Sequence, residues 1–226
     1  MDGFVKVLLY VAIGTAAMLI PMSLVAWRYK IRLRKSIPIA VYAALCGTLS
    51  TYLWFFLENR WFGGISFFGA VFLVPLAFLA VPRLFRESYE NMMDVFAPGI
   101  CMMLAIMKVQ CLTSGCCQGR ELYVGDTILR FPSPLAELAN GLLLMIILLA
   151  MALRPKGRGM LYPWYMILYG CTRFVLQFFR EEWVTRTGIL PTYGTLWSVL
   201  SVAIGVFWIW KSKKKVQAAD PVQTEK

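Results

Sequence analysis

Residues 92–120 read MMDVFAPGICMMLAIMKVQCLTSGCCQGR, an apolar run that carries Lys108 near its end and closes in a turn rich in glycine and cysteine. From Met92 to Ser114 the run is long enough, at ~1.5 Å per residue, to cross a roughly 30 Å hydrocarbon core as one helix. A lysine inside such a helix is costly in lipid, so its position reads as functional. The run therefore decides the fold: it is a membrane span with a purpose at its outer end.

The same reading applies on either side. Apolar segments near 4–27, 37–57, 66–82, 134–153, 160–179 and 190–210 join 92–114 to make about seven transmembrane helices. The third, SFFGAVFLVPLAFLAVP, is the shortest and carries Pro75. With 59% apolar and 15% charged residues in 226, the chain is too hydrophobic to cover itself with polar surface. The fold class is thus an all-α integral membrane protein. Residues 1–210 form a single polytopic domain, and 211–226 a disordered, basic cytoplasmic tail. The first segment lacks a basic leader and a convincing cleavage site, so it reads as a retained helix.

Lys and Arg set the orientation. RYKIRLRKS (28–36) holds five, RPKGRG (154–159) three and the tail after Trp210 five, whereas Lys6, Arg60, Arg120, Arg130, Arg180 and Arg186 are scattered on the other side. The positive-inside rule places the N-terminus outside and the C-terminus in the cytoplasm. The net charge of +11 then reads as topology and attraction to anionic lipid, with no nucleic-acid partner. Trp54, Trp61, Trp183 and Tyr193 are expected at the outer interface. The longest outer loop, SGCCQGRELYVGDTILRFPS, predicts an ordered cap with a turn or hairpin around Val124 to Ile128.

Helix rise assigns depths to the polar residues. Lys108 lies about 24 Å along the fourth helix from Met92, and Arg173 about 20 Å along the sixth from Met160. Glu137 enters roughly 5 Å from Pro134, with Asn140 one turn deeper. Two cations, a carboxylate and an amide therefore share one outer layer. Arg173, Gln177 and Arg180 recur at i, i+4 and i+7, a polar stripe that must face protein or a wet cavity. Clustered cations at headgroup depth suit a phosphate, since Arg presents a planar fork of donors and Lys a mobile charge. A purely structural role would instead pair Lys108 with Glu137 and Arg173 with backbone carbonyls.

Of the six cysteines, Cys46, Cys101 and Cys171 sit in apolar helices as small hydrophobes. Cys111, Cys116 and Cys117 cluster at the outer mouth, where a bridge from Cys111 to either neighbour would be permitted, as would a thiol redox or sensing role. The chain has no histidine and no pair of CxxC elements, so neither a metal nor a cofactor is expected. A general base would have to be Glu137, Glu58, Glu121 or a thiolate.

The run Lys108 to Arg120 resembles the signature GRxGNFxNxExxGR of the prolipoprotein diacylglyceryl transferase family, with Lys108 at the arginine and Cys111 at the first asparagine. FPSPLAE (131–137) is similar to the family's HPSQLYE. YGCTRFVLQFFRE (169–181) is similar to YGxxRFxxExxRE, with Gln177 for the glutamate. GGISFFGAVF (63–72) is similar to GGLSxHGGxxG, with Phe68 for the histidine. The resemblance implies a multi-pass enzyme of the bacterial inner membrane, transferring the diacylglyceryl group of phosphatidylglycerol to the thiol of a lipobox preprotein. It implies catalytic roles for Arg173, Lys108 and Glu137. Binding roles then fall to Lys108, Cys111, Ser114, Gly115, Gly119, Arg120, Asn140, Gln177 and Arg180. A relative that binds phospholipid without catalysis is the alternative.

Overall fold

A computed structural model describes residues 3–60, 64–124, 127–154, 159–180 and 192–219. Trp61, Gly63, Trp183 and Arg186 lie outside the described residues. The helices are α1 (Gly3–Arg28), α2 (Leu33–Asn59), α3 (Phe67–Ala77), α4 (Val81–Phe85), α5 (Tyr89–Ser114), α6 (Ser133–Ala152), α7 (Leu161–Gln177) and α8 (Tyr193–Ala219). Six stretches among the described residues are helical, long and apolar enough to cross a membrane, with α3 and α4 counted as one stretch from Phe67 to Phe85. The seventh expected span, α7, has 17 residues. Large apolar side chains face outward along these helices, including Ile20, Leu45, Leu49 and Val199, as a lipid-facing surface requires. The chain is a multi-pass helical membrane protein.

Helix α5, which opened the sequence reading, is the central post. It packs against α1, α6 and α7, while α2 leans on α1 and α3, and α8 on α7. Met92, Phe96, Ile100 and Leu104 of α5 are buried in a core shared with Met18 and Met22 of α1 and Tyr162 and Tyr165 of α7. Between α7 and α8 the approach is close enough that a Cβ on Gly170 would lie 2.7 Å from the Ser198 carbonyl. Small residues at helix crossings let backbones approach in this way in membranes.

Pro75 explains the irregular third span. Its missing N–H leaves the Val71 carbonyl without a helical partner, and the buried Tyr162 hydroxyl donates to that carbonyl at 2.8 Å. The helix then tightens into a 3₁₀ turn, Phe78–Ala80, before α4. The Tyr42 hydroxyl donates to the Ala77 carbonyl at 2.7 Å at this junction.

Asp94, an acid that the sequence reading left without a role, holds the opposite end of the bundle. It is fully buried. One oxygen accepts from the Leu161 amide at 2.8 Å, and the other accepts from the Tyr29 hydroxyl at 2.8 Å and from the Gly159 amide. A carboxylate from α5 thus caps the N-terminus of α7, satisfying amides that a helix start leaves unpaired. Asp94→Ala removes the shared acceptor of three donors, two of them buried, at ~1 kcal/mol each, so about 2–3 kcal/mol of stability should be lost. Thermal unfolding in detergent measures it.

One expectation is corrected here. The tail expected to be disordered from 211 continues α8 to Ala219, because Lys, Gln and Ala are good helix formers that extend an existing helix without a new nucleus. Residues 220–226 lie outside the described residues. Trp54, five residues from the outer end of α2, turns its ring inward against Trp197 and Phe72, at ring separations of 5.1 and 5.3 Å. The outer hairpin is present as β1 (Glu121–Val124) and β2 (Thr127–Arg130), antiparallel, with Glu121 opposite Arg130. Those two side chains form an exposed ion pair at 3.1 Å.

Candidate anion-binding site

Glu137 is the hub of the outer layer. Its side chain is 6% exposed and takes three cations: Lys108 Nζ at 2.8 Å on Oε2, Arg173 Nη1 at 3.0 Å and Arg180 Nη1 at 2.9 Å, both on Oε1. The cations come from α5, from α7 and from the turn after α7, so one carboxylate ties these elements to α6. Among the described residues, three cations thus gather on one carboxylate. The Lys108–Glu137 pair that a structural role requires is present within that cluster.

Arg180 reaches Glu137 by a route the helical stripe did not foresee. α7 ends at Gln177, and successive i to i−3 bonds from Phe178, Phe179 and Arg180 tighten the chain. The Gly119 backbone locks this turn. Gly119 pairs with Arg180 and donates to the Phe131 carbonyl at 2.9 Å. A Cβ there would lie 2.5 Å from the Phe179 carbonyl and 2.7 Å from that of Phe131, so only glycine fits where three segments meet. Arg120 extends beside it with its guanidinium 5.5 Å from the Phe179 ring centre.

The cations face a cavity of about 340 Å³. Its polar end is lined by Lys108, Cys111, Cys117, Glu137, Arg173, Gln177 and Arg180, with Glu58, Ser66 and Thr192 nearby. Its apolar end runs between α1, α2 and α5, past Val11, Met18, Ala43, Gly47 and Leu104. A charged head and an apolar body match the shape of a phospholipid. Gln177 is 1% exposed and donates to Thr192 Oγ1 at 3.3 Å, while its Oε1 has no hydrogen-bond partner among the described residues.

A family model described as prolipoprotein diacylglyceryl transferase matches residues 2–211. The chain belongs to the prolipoprotein diacylglyceryl transferase family. Among curated relatives, a phosphatidylglycerol–prolipoprotein diacylglyceryl transferase of Acinetobacter baylyi is 28% identical over 195 residues, covering 79% of this chain and 71% of that protein. A protein of the same name from Teredinibacter turnerae is 32% identical over 158 residues, covering 59% and 53% respectively.

Set against the family signature, the structure gathers some residues and separates others. Lys108, Cys111, Glu137, Arg173, Gln177 and Arg180 share the cavity. Gly119 and Arg120 lie behind it and hold the turn that delivers Arg180. Ser114 and Gly115 are exposed at the end of α5, where Gly115 adopts φ 65 and closes the helix. Asn140 lies off the cavity, in a shallow groove with Ala136, Cys171, Thr172 and Val175. The cause is azimuth: three residues turn a helix through about 300°, and the position that shares the Glu137 face is Gly141, which packs against Cys101 and Ala105 of α5. Of the other candidate bases, Glu58 accepts from Ser66 at 3.2 Å at the cavity and Glu121 sits out on the hairpin.

Tyr169 was missed. It is buried, lines the cavity and rests on Phe67 and Phe68 at 5.6 and 5.7 Å. The stripe Arg173–Gln177–Arg180 carried back by one turn would have found it. Phe68, at the family histidine position, is 4% exposed and stacked on Phe72.

All six cysteines are free. Cys117 lies outside the membrane-spanning helices. The hydrogen bond from Cys111 pulls its thiol down to about 5 against the opposing effect of burial, and Lys108 adds to the lowering.

Proposed function

We propose that this chain is a phosphatidylglycerol-using diacylglyceryl transferase acting at the outer face of the bacterial inner membrane. The observation that carries the reading is the gathering of three cations on Glu137 at the polar end of a cavity whose other end is apolar. The phosphodiester of the lipid sits against Lys108, Arg173 and Arg180, and the acyl chains enter between α1, α2 and α5. The orphaned Oε1 of Gln177 accepts from a hydroxyl of the glycerol headgroup.

In the reaction, the acceptor sulfur, as a thiolate whose proton has passed to solvent, forms a bond to the terminal glyceryl carbon as that carbon's bond to the phosphate oxygen breaks. The diacylglyceryl group passes to sulfur and glycerol phosphate departs with the electron pair. Charge grows on the leaving phosphate, where the fixed cations stabilise it more strongly than in the ground state. The names of the curated relatives point to the same donor and to a prolipoprotein acceptor.

This reading needs seven crossings, with α7 as the seventh, at ~26 Å for its 17 residues. The N-terminus lies outside and the basic loops in the cytoplasm. Cys116, exposed beyond the end of α5, should then react with a membrane-impermeant maleimide in intact spheroplasts treated with an impermeant metal chelator. Labelling only after lysis would reverse the orientation.

The activity test is direct. Purified protein given phosphatidylglycerol and a lipobox peptide should yield a thioether-linked diacylglyceryl peptide, read by mass spectrometry. If a curated relative makes the product under the same conditions and this chain does not, the activity is absent. Phe68 supports a second reading, since a buried phenyl ring takes no proton from the acceptor thiol. Phosphatidylglycerol binding without product, weakened by Arg173→Ala, would favour a non-catalytic lipid-binding relative.

A further inference from the structure

The three outer cysteines converge although their sequence spacing gives no metal motif. α5 ends at Gly115 in the left-handed region, and the Cys116 amide returns to the Cys111 carbonyl at 3.1 Å, a six-to-one closure of the helix. Cys117 is also left-handed, with φ 61, which turns the chain back over the last helical turn. The result is that the sulfurs of Cys111, Cys116 and Cys117 all lie within 4.8 Å of one another.

Thiolates bound to zinc at about 2.3 Å are roughly 3.8 Å apart in a tetrahedron, so closing this cluster needs about 1 Å of movement, within reach of side-chain rotation. Soft thiolates select thiophilic ions. Three thiolates and a divalent ion carry a net charge of −1, and Lys108 and Arg180 stand close enough to Cys117 to offset it. Two of the three sulfurs, those of Cys111 and Cys117, line the cavity that holds Glu137 and Arg173.

We propose that Cys111, Cys116 and Cys117 bind a thiophilic divalent ion of the zinc class at the cavity mouth, leaving the fourth coordination position for an incoming thiol. The second half rests on the transferase reading above. Three protein ligands with an open position are the arrangement of reactive rather than structural zinc. A thiol that coordinates is deprotonated outright, its proton passing to solvent as it displaces the bound water. The acceptor sulfur would thus arrive as a thiolate without a histidine, where Phe68 offers no base.

The experiment uses full-length protein, purified in detergent under reducing, anaerobic conditions, and titrated with zinc and with cadmium. One ion per chain is expected, with thiolate-to-cadmium charge-transfer absorption and X-ray absorption showing three sulfurs at about 2.3 Å from zinc and one lighter atom. Cys111→Ser, Cys116→Ser and Cys117→Ser should each weaken metal binding at least 10-fold while circular dichroism and an unchanged metal-free unfolding temperature attest the fold, and Cys171→Ser should leave metal binding unchanged. A lipobox peptide should replace the lighter atom by a fourth sulfur. No stoichiometric binding, binding indifferent to these substitutions, or a disulfide among the three in protein alkylated directly in membranes would overturn the site. A shell that stays at three sulfurs with peptide present would overturn the thiol role. If metal and peptide bind as expected but no thioether forms, the transferase reading fails and the metal site stands.

Discussion

Glu137→Gln is expected to lower stability by about 3–5 kcal/mol, the range for removing one partner of a buried ion pair. For a chain of this size that is a fall in unfolding temperature on the order of 10 °C. Lys108, Arg173 and Arg180 have side chains only 14, 12 and 16% exposed, so solvent cannot replace the lost carboxylate. The cations would repel one another across α5, α7 and the following turn. A lipid phosphate can substitute for the missing charge, which gives the prediction its specific form. In a neutral detergent the variant should unfold early, and adding phosphatidylglycerol should raise its transition further than it raises that of the unaltered protein. Equal shifts for both would mean that the lipid phosphate does not enter this cluster.

Arg173→Ala should behave differently. Glu137 keeps Lys108 and Arg180, so the helices stay tied and the unfolding temperature should move less than for Glu137→Gln. The cavity, however, loses a planar donor at the place where charge develops on the leaving phosphate. Removing one such donor costs roughly 10²- to 10³-fold in turnover. Arg173→Lys should recover part of the loss, since it restores the charge without the two-pronged geometry. Thioether formation with phosphatidylglycerol and a lipobox peptide measures both variants. A stable Arg173→Ala protein with unchanged turnover would remove this guanidinium from the chemistry.

Depth was legible in the sequence because helix rise is constant and charged residues in an apolar helix are rare enough to carry meaning. Lys108, Glu137 and Arg173 do meet in one layer, as their positions along three helices require. Azimuth was less legible. Asn140 shares the depth of the layer but turns into a separate groove with Cys171 and Thr172, because a three-residue step falls about 60° short of the face of Glu137. Arg180 meets Glu137 through a tight turn rather than a continued helix, and that turn depends on the Gly119 backbone from a distant loop. Such tertiary support leaves little trace in local periodicity. Asp94 shows the reverse failure. As a lone acid in MMDVFAP it carried a signal, but its partners, Tyr29 and the Gly159 and Leu161 amides, lie far away in sequence. The cysteine cluster was hidden by backbone conformation, since two left-handed residues, Gly115 and Cys117, bring together sulfurs whose spacing resembles no metal motif.

The phosphate site at the three cations around Glu137 is tested most directly by native mass spectrometry of the protein released from micelles holding phosphatidylglycerol and phosphatidylethanolamine in equal amounts. One phosphatidylglycerol should remain bound per chain, retained in preference to phosphatidylethanolamine and largely lost in a Lys108→Ala, Arg173→Ala double variant. Equal retention of the two lipids, or a bound phosphatidylglycerol that survives the double substitution, would contradict a phosphate site built on Glu137 and its three cations.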